Sequence, residues 1–270
     1  MKRIISSSTV LAGMFVAGAL TNLHAETGCS NATLNGAYGF YSAGNVLTAG
    51  TPPRVVLGRE VYDGQGNLVD TLLAINNDGM LIRTTSSGTY TVTDDCRGTV
   101  SGVLFTPSGP LNLSVPFVIV DGGNEIDFIL SSTPPVLIGY GVRKKQFPDN
   151  NRVCSNATLN GSYGFYSTGT VVSTGTPRVL LGRETYDGDG HFSDILTVNS
   201  GGALLEMTNS GTYTVNPDCT GTIFTTLGQL NLAVDFVIVD SGKEIYFIIS
   251  SNPASLVAYG VRTKFSANQE

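Results

Sequence analysis

The fold class this sequence predicts is all-β: two tandem antiparallel up-and-down barrels of about eight strands each, with β-sandwiches as the alternative. Three observations predict it. The stretch Cys29 to Gly44 returns almost unchanged as Cys154 to Gly169, and the residues after the first copy return in the same order after the second. Thr, Val, Tyr, Ile and Phe alternate with polar residues at period two, with no helical period beyond residue 25. Gly, Asn, Asp and Pro interrupt the alternation at short intervals, which favours hairpins over the crossovers a sandwich needs.

Residues 1–25 read as a secretory signal. Lys2 and Arg3 form a basic start, Val10 to Leu20 is an apolar run, and Leu23-His24-Ala25 suits cleavage before Glu26. The run is shorter than the roughly 20 residues a bilayer span needs. The expected organisation is a first repeat over 29–145, a linker over 146–153 and a second repeat over 154–264. Losing the signal moves the net charge from −6 to −8, since it carries two basic residues and no acidic ones. A dispersed acidic surface disfavours nucleic acid as a partner. The location expected is secreted or periplasmic, with no membrane-spanning segment. The four cysteines fall two per copy, and pairing Cys29 with Cys96 and Cys154 with Cys219 lets each repeat fold alone.

In the first copy the alternation places strands over Leu34–Tyr41, Arg54–Tyr62, Asn67–Asn76, Met80–Thr85, Gly88–Thr93, Leu111–Val120, Glu125–Ser131 and Val136–Lys145, with Thr99–Phe105 as a further strand or an extension. The faces follow from parity. Leu34, Tyr38 and Phe40 share a dry face, as do Leu111, Leu113, Val115, Phe117 and Ile119, and then Ile126, Phe128 and Leu130. Pro116 cannot donate a ladder hydrogen bond, so it marks an edge or a bulge. Closing each sheet into a barrel removes its exposed edges.

The first strand, N-G-x-Y-G-F over Asn35 to Phe40, and the last, Y-G-V-R over Tyr140 to Arg143, resemble the calycin pattern of lipocalins and the allene oxide cyclase barrel. In that pattern an aromatic of the first strand packs under an arginine of the last and plugs the barrel base. The resemblance implies such a plug from Tyr38 or Phe40 with Arg143, and from Tyr163 or Phe165 with Arg262. The chain departs from it in having no tryptophan, so the lipocalin G-x-W signature is missing.

Candidate site residues come from a hairpin. Asp63-Gly64-Gln65-Gly66 is tight-turn chemistry. Pairing Tyr62 with Asn67 sets Arg59 opposite Asp70 on an apolar face, and the second copy sets Arg183 opposite Asp194. A buried charge needs a partner, so each pair is expected as a structural ion pair or an anchor for a ligand's carboxylate or carbonyl. A slip of one residue would undo this placement. The same parity puts Glu60 on the face opposite Asp70, which argues against paired-carboxylate chemistry. The turn lacks the closing glutamate of an EF-hand, so no metal is expected. With His24 in the signal, His191 is the one histidine of the mature chain, at a turn, and no catalytic residues or cofactors are expected.

The function expected is that of an exported non-enzymatic protein holding a small apolar ligand in each barrel. A structural or surface-interaction protein with filled barrels is the alternative, and an allene oxide cyclase-like cyclase or isomerase the second. An enclosed cavity of at least roughly 300 Å³ would favour the first over the second.

Overall fold

The computed structural model describes residues 28–47, 52–106, 109–149, 152–228, 230–251 and 255–265. The signal expected over residues 1–25 lies outside them, as do residues 48–51.

Two closed antiparallel barrels form, each a meander of eight strands. The first comprises β1 (Asn35–Val46), β2 (Pro53–Asp63), β3 (Asn67–Asn77), β4 (Met80–Val92), β5 (Arg97–Thr106), β6 (Gly109–Val120), β7 (Glu125–Thr133) and β8 (Leu137–Lys145), with β8 closing on β1. The second comprises β9 (Asn160–Val171), β10 (Thr176–Asp187), β11 (His191–Ser200), β12 (Ala203–Val215), β13 (Thr220–Leu227), β14 (Leu230–Val239), β15 (Glu244–Ile249) and β16 (Leu256–Lys264), with β16 closing on β9. The two strands expected over Met80–Thr85 and Gly88–Thr93 are one strand, β4, and Thr99–Phe105 belongs to a strand of its own, β5. Pro116 lies at neither an edge nor a bulge. The β6–β7 pairing lapses beside it and resumes in the same register at Phe117 with Phe128.

The repeated stretch beginning C-S-N-A-T-L-N-G closes the base of each barrel. A single 3-10 turn, Asn31–Thr33, precedes β1. The Asn31 side chain accepts a hydrogen bond from the Val92 N–H at 2.8 Å, and the Tyr90 hydroxyl donates to the carbonyl groups of Asn31 and Leu34. Asn156, Val215, Tyr213 and Leu159 repeat the arrangement. Disulfides Cys29–Cys96 and Cys154–Cys219 pin each turn to the β4–β5 and β12–β13 corners, as the spacing predicts. Each closes a long loop, worth about 4 kcal/mol on the chain-entropy account.

The interiors are packed with the expected dry-face residues, including Leu34, Tyr38, Phe40, Val115, Phe117, Ile119, Ile126 and Phe128. A third apolar cluster joins the barrels. The outer faces of β1, β2 and β3, through Tyr41, Val55, Leu57 and Ala74, pack on Val237, Val239, Tyr246, Ile248 and Val257 of β14, β15 and β16. Gly39 is needed there, because a Cβ at that position would lie 2.6 Å from Cγ1 of Val239. Polar bonds frame the contact. Arg83 holds Asp235 through both carboxylate oxygens, and Asn76, fully buried, donates to the carbonyl groups of Ile249 and Leu256 at 2.9 and 3.2 Å.

Candidate ligand site in the barrel interiors

The register of β2 on β3 decides which charges face inward. Asp63 caps its own turn: its carboxylate accepts from the N–H groups of Gln65 and Asn67 at 2.7 and 2.9 Å. The turn spans five residues, and Tyr62 pairs with Leu68, not with Asn67. Glu60 then stands opposite Asp70, with a bulge beside it that absorbs one residue of β3. The expected pairing of Arg59 with Asp70 does not form. Arg59 points outward, donating from Nε to the Gln146 side chain at 3.0 Å and to the Asp218 carbonyl at 2.9 Å in the crease between the barrels. Arg183 also points outward, bonded to Ser162 and lying 5.5 Å over the Phe265 ring. The expectation that Glu60 and Asp70 lie on opposite faces is likewise overturned.

A row of paired residues therefore crosses four strands inside the first barrel: Tyr38, Glu60, Asp70 and Ser86. The second barrel repeats it as Tyr163, Glu184, Asp194 and Asn209. Arg143 reaches this row from β8. It donates to both Glu60 oxygens at 2.5 and 3.1 Å, and the Tyr62 hydroxyl donates to Glu60 at 2.8 Å. The guanidinium sits 3.8 Å over Phe128 and 5.3 Å from the Phe40 centroid. Arg262 grips Glu184 in the same way and stacks 3.9 Å over Phe247 and 5.8 Å from Phe165. Tyr38 stands apart from the arginine, edge-on to Tyr62, and its hydroxyl donates to the Gly123 carbonyl; Tyr163 does the same to Gly242.

The electrostatics follow from burial. Leaving water works against the charge of Arg143, but the Glu60 carboxylate outweighs it and the guanidinium ends above its ordinary pKa. Burial, then the neighbouring Glu60 charge, pushes the Asp70 carboxyl up to about 8, while the Ser86 hydroxyl, donating at 2.7 Å, pulls the other way. Asp194 rises to about 7 through burial and Glu184. At neutral pH Asp70 is therefore mostly a neutral acid beside a neutralised ion pair.

Above the row lies a narrow cavity of about 60 Å³, lined by Glu60, Asp70 and Arg143 below and by Val56, Ile75, Leu113, Leu130 and Leu137 higher up. The second barrel holds a cavity of about 60 Å³ over Glu184, Asp194 and Arg262. Both are far below the roughly 300 Å³ of ordinary ligand pockets. Two polar atoms in each wall have no hydrogen-bond partner: Oδ1 of Asp70 with Nη1 of Arg143, and Oδ1 of Asp194 with Nη1 of Arg262. Among the described residues no group of His, Cys, Asp and Glu is placed to hold a metal ion.

Sequence parity puts Glu60 on the wrong face and does not single out Glu184, because both faces of β2 read as apolar. The usable signal was the turn. An aspartate that caps two N–H groups ahead of it lengthens the loop and shifts the register by one. Because Arg59 is half-buried and bonds Gln146 and Asp218, Arg59→Met should cost about 1–2 kcal/mol in urea unfolding, less than stranding the partner of a buried ion pair. A loss of several kcal/mol would restore Arg59 as the partner of a buried carboxylate.

A scan of protein-family models finds no match to the chain, and a search of curated proteins finds none. Among solved structures the chain is similar to an AttH-like protein from Nitrosomonas europaea, at 10% identity and a TM-score of 0.29 over 95% of this chain and 100% of that one. It is also similar to kievitone hydratase from Nectria haematococca, at 8% identity and a TM-score of 0.30 over 89% and 93%. Likenesses this distant transfer neither activity nor residue roles. The barrel architecture stands on the chain's own strand order.

Proposed function

We propose that this is an exported, non-catalytic binding protein whose barrels each take a very small ligand, headed by a carbonyl oxygen, onto the acid–arginine row. The observation that supports it is the repeated pair of unpartnered polar atoms in each cavity wall. A buried polar group left without a partner costs about 1–3 kcal/mol, and here two such atoms belong to residues lining one cavity in each barrel. Nη1 of Arg143 is a donor without an acceptor, and Asp70, neutral below about pH 8 and bonded to Glu60, leaves Oδ1 unpartnered. The free guanidinium N–H calls for an acceptor. The row is already charge-balanced by Glu60, so an uncharged carbonyl suits it better than a carboxylate. The apolar upper wall takes a short hydrocarbon body. Two disulfides in an otherwise thiol-free chain support work in an oxidising compartment.

The small cavity volume favours a second reading, in which the barrels are filled scaffolds and ordered water satisfies the row. Two measurements separate the readings. Native mass spectrometry of protein purified from its own source should show a co-purifying small molecule. Titration with short methyl ketones should shift the NMR signals of Val56, Leu113 and Leu130, and Asp70→Val should abolish the shifts. A bare polypeptide mass, with no shift from any ketone in the series, would leave the scaffold reading standing alone.

A further inference from the structure

The apolar centre of the contact between the barrels joins unlike faces, while at its margin Tyr140 bonds its own copy, Tyr259. The first barrel contributes the outer face of β1–β3 and the second the outer face of β14–β16. Because the chain is one unit written twice, each barrel carries a copy of its partner's face, and the first barrel's copy enters this contact only at its β8 margin, through Tyr140 bonded to Tyr259 and through Val142. The second barrel's β9–β11 repeats β1–β3, and the first barrel's β6–β8 repeats β14–β16.

Those two spare faces keep their apolar side chains and leave them in solvent. Val179 and Leu181 are 47% and 59% exposed, where their copies Val55 and Leu57 are 5% and 0% exposed. Ile129 and Ile138 are 57% and 56% exposed, where their copies Ile248 and Val257 are 0% and 1% exposed. The polar anchor is also repeated. Asn76 bonds the Gly79 N–H through Oδ1 and uses Nδ2 to reach the second barrel's carbonyls. Asn199 makes the same turn bond to the Gly202 N–H, and among the described residues its Nδ2 has no partner. Neither face is continuous with the barrel interiors, so ligand binding there does not account for them. Exposed branched apolar residues grouped on one strand face mark contact sites.

We propose that the β9–β11 face of one molecule docks on the β6–β8 face of a second copy, so that molecules join head to tail through a repeat of their own internal contact. Val179 and Leu181 would pack on Val118, Ile129 and Ile138, and Asn199 would reach the carbonyl groups of Leu130 and Leu137, the copies of Ile249 and Leu256. Such a contact uses two different surfaces, so it extends until it closes as a ring or continues as a filament. It is weaker than the contact within the chain. The Arg83–Asp235 ion pair has no counterpart, because Glu206 and Pro116 stand at those places, and Asp127 replaces the ring of Tyr246. Acidic residues on both sides mean that added salt strengthens the association.

The test uses the signal-free chain in sedimentation velocity, up to about 1 mM, the weak end of specific affinity. The wild type should form species larger than a monomer, more so at high salt. Leu181→Asp and Ile129→Asp each spoil one face, and since both positions are exposed, each variant should melt like the wild type. Each variant alone should stay monomeric, and their mixture should give one-to-one dimers and nothing longer. A wild type that stays monomeric throughout would overturn the proposal. So would an Ile129→Asp variant that dimerises by itself, since that would mean like faces pair.

Discussion

Arg143→Met should destabilise the protein by about 3–5 kcal/mol, the cost of stranding one partner of a buried ion pair. The side chain is fully buried, and Glu60 would keep the Tyr62 hydroxyl but lose both guanidinium bonds. Its carboxylate would be left buried without a counter-charge in a largely apolar barrel. The aromatic contacts with Phe40 and Phe128 would also be lost. Arg262→Met should behave alike through Glu184. Removing both charges at once, as Glu60→Leu with Arg143→Met, should recover much of the loss, because no unpaired charge then remains. Urea unfolding followed by near-ultraviolet circular dichroism measures all three. A loss below about 1 kcal/mol for Arg143→Met would mean that water reaches Glu60 freely and the row is not dry.

The second large effect is a fall in stability as pH rises from about 4 to about 8. Asp70 and Asp194 titrate near 8 and 7 in the folded chain and near 3.9 in the unfolded one, so the folded state holds more protons between those values. Their contribution is fully present below about pH 4 and is lost as pH climbs through the folded values, at a cost on the order of 5 kcal/mol for Asp70. The turn carboxylates act in the opposite sense at lower pH. Asp63 is held down to about 2 by the Asn67 side chain and by backbone N–H groups, so its stabilisation fades as pH drops through that value. A maximum near pH 4–5 is the expected result. The double variant Asp70→Asn with Asp194→Asn should melt higher than the wild type at pH 8 and show little slope between pH 5 and 8. A wild-type melting temperature that is level over that range, or a double variant that keeps the slope, would place both carboxyls in contact with water.

Strand faces were legible wherever one side of a strand meets water. Leu111 to Ile119 and Ile126 to Leu130 alternate cleanly because β6 and β7 turn their outer faces to solvent, and their inward residues lie where parity puts them. On β2 the alternation fails. Val55 and Leu57 are apolar because the second barrel covers them, while Val56 and Tyr62 are apolar because they line the interior. A strand wetted on neither face carries no parity signal. Register then rests on turn geometry, which a single side-chain cap can change by one residue. For that reason parity turns Arg59 inward and Glu60 outward, the reverse of the structure.

Local order alone sufficed for the repeat, the all-β class and the cysteine pairing, while the arginine at the end of each last strand is implied by the calycin resemblance. The first three are properties of neighbouring residues and of spacing, and they hold whatever the chain packs against. Tertiary structure decided the partner of Arg143, the protonation of Asp70, and the burial of one copy's valines and leucines where the other's stay wet. Each of these depends on which surfaces lose water together. Distance along the chain does not encode that, because two nearly identical repeats, once joined, no longer share the same surroundings.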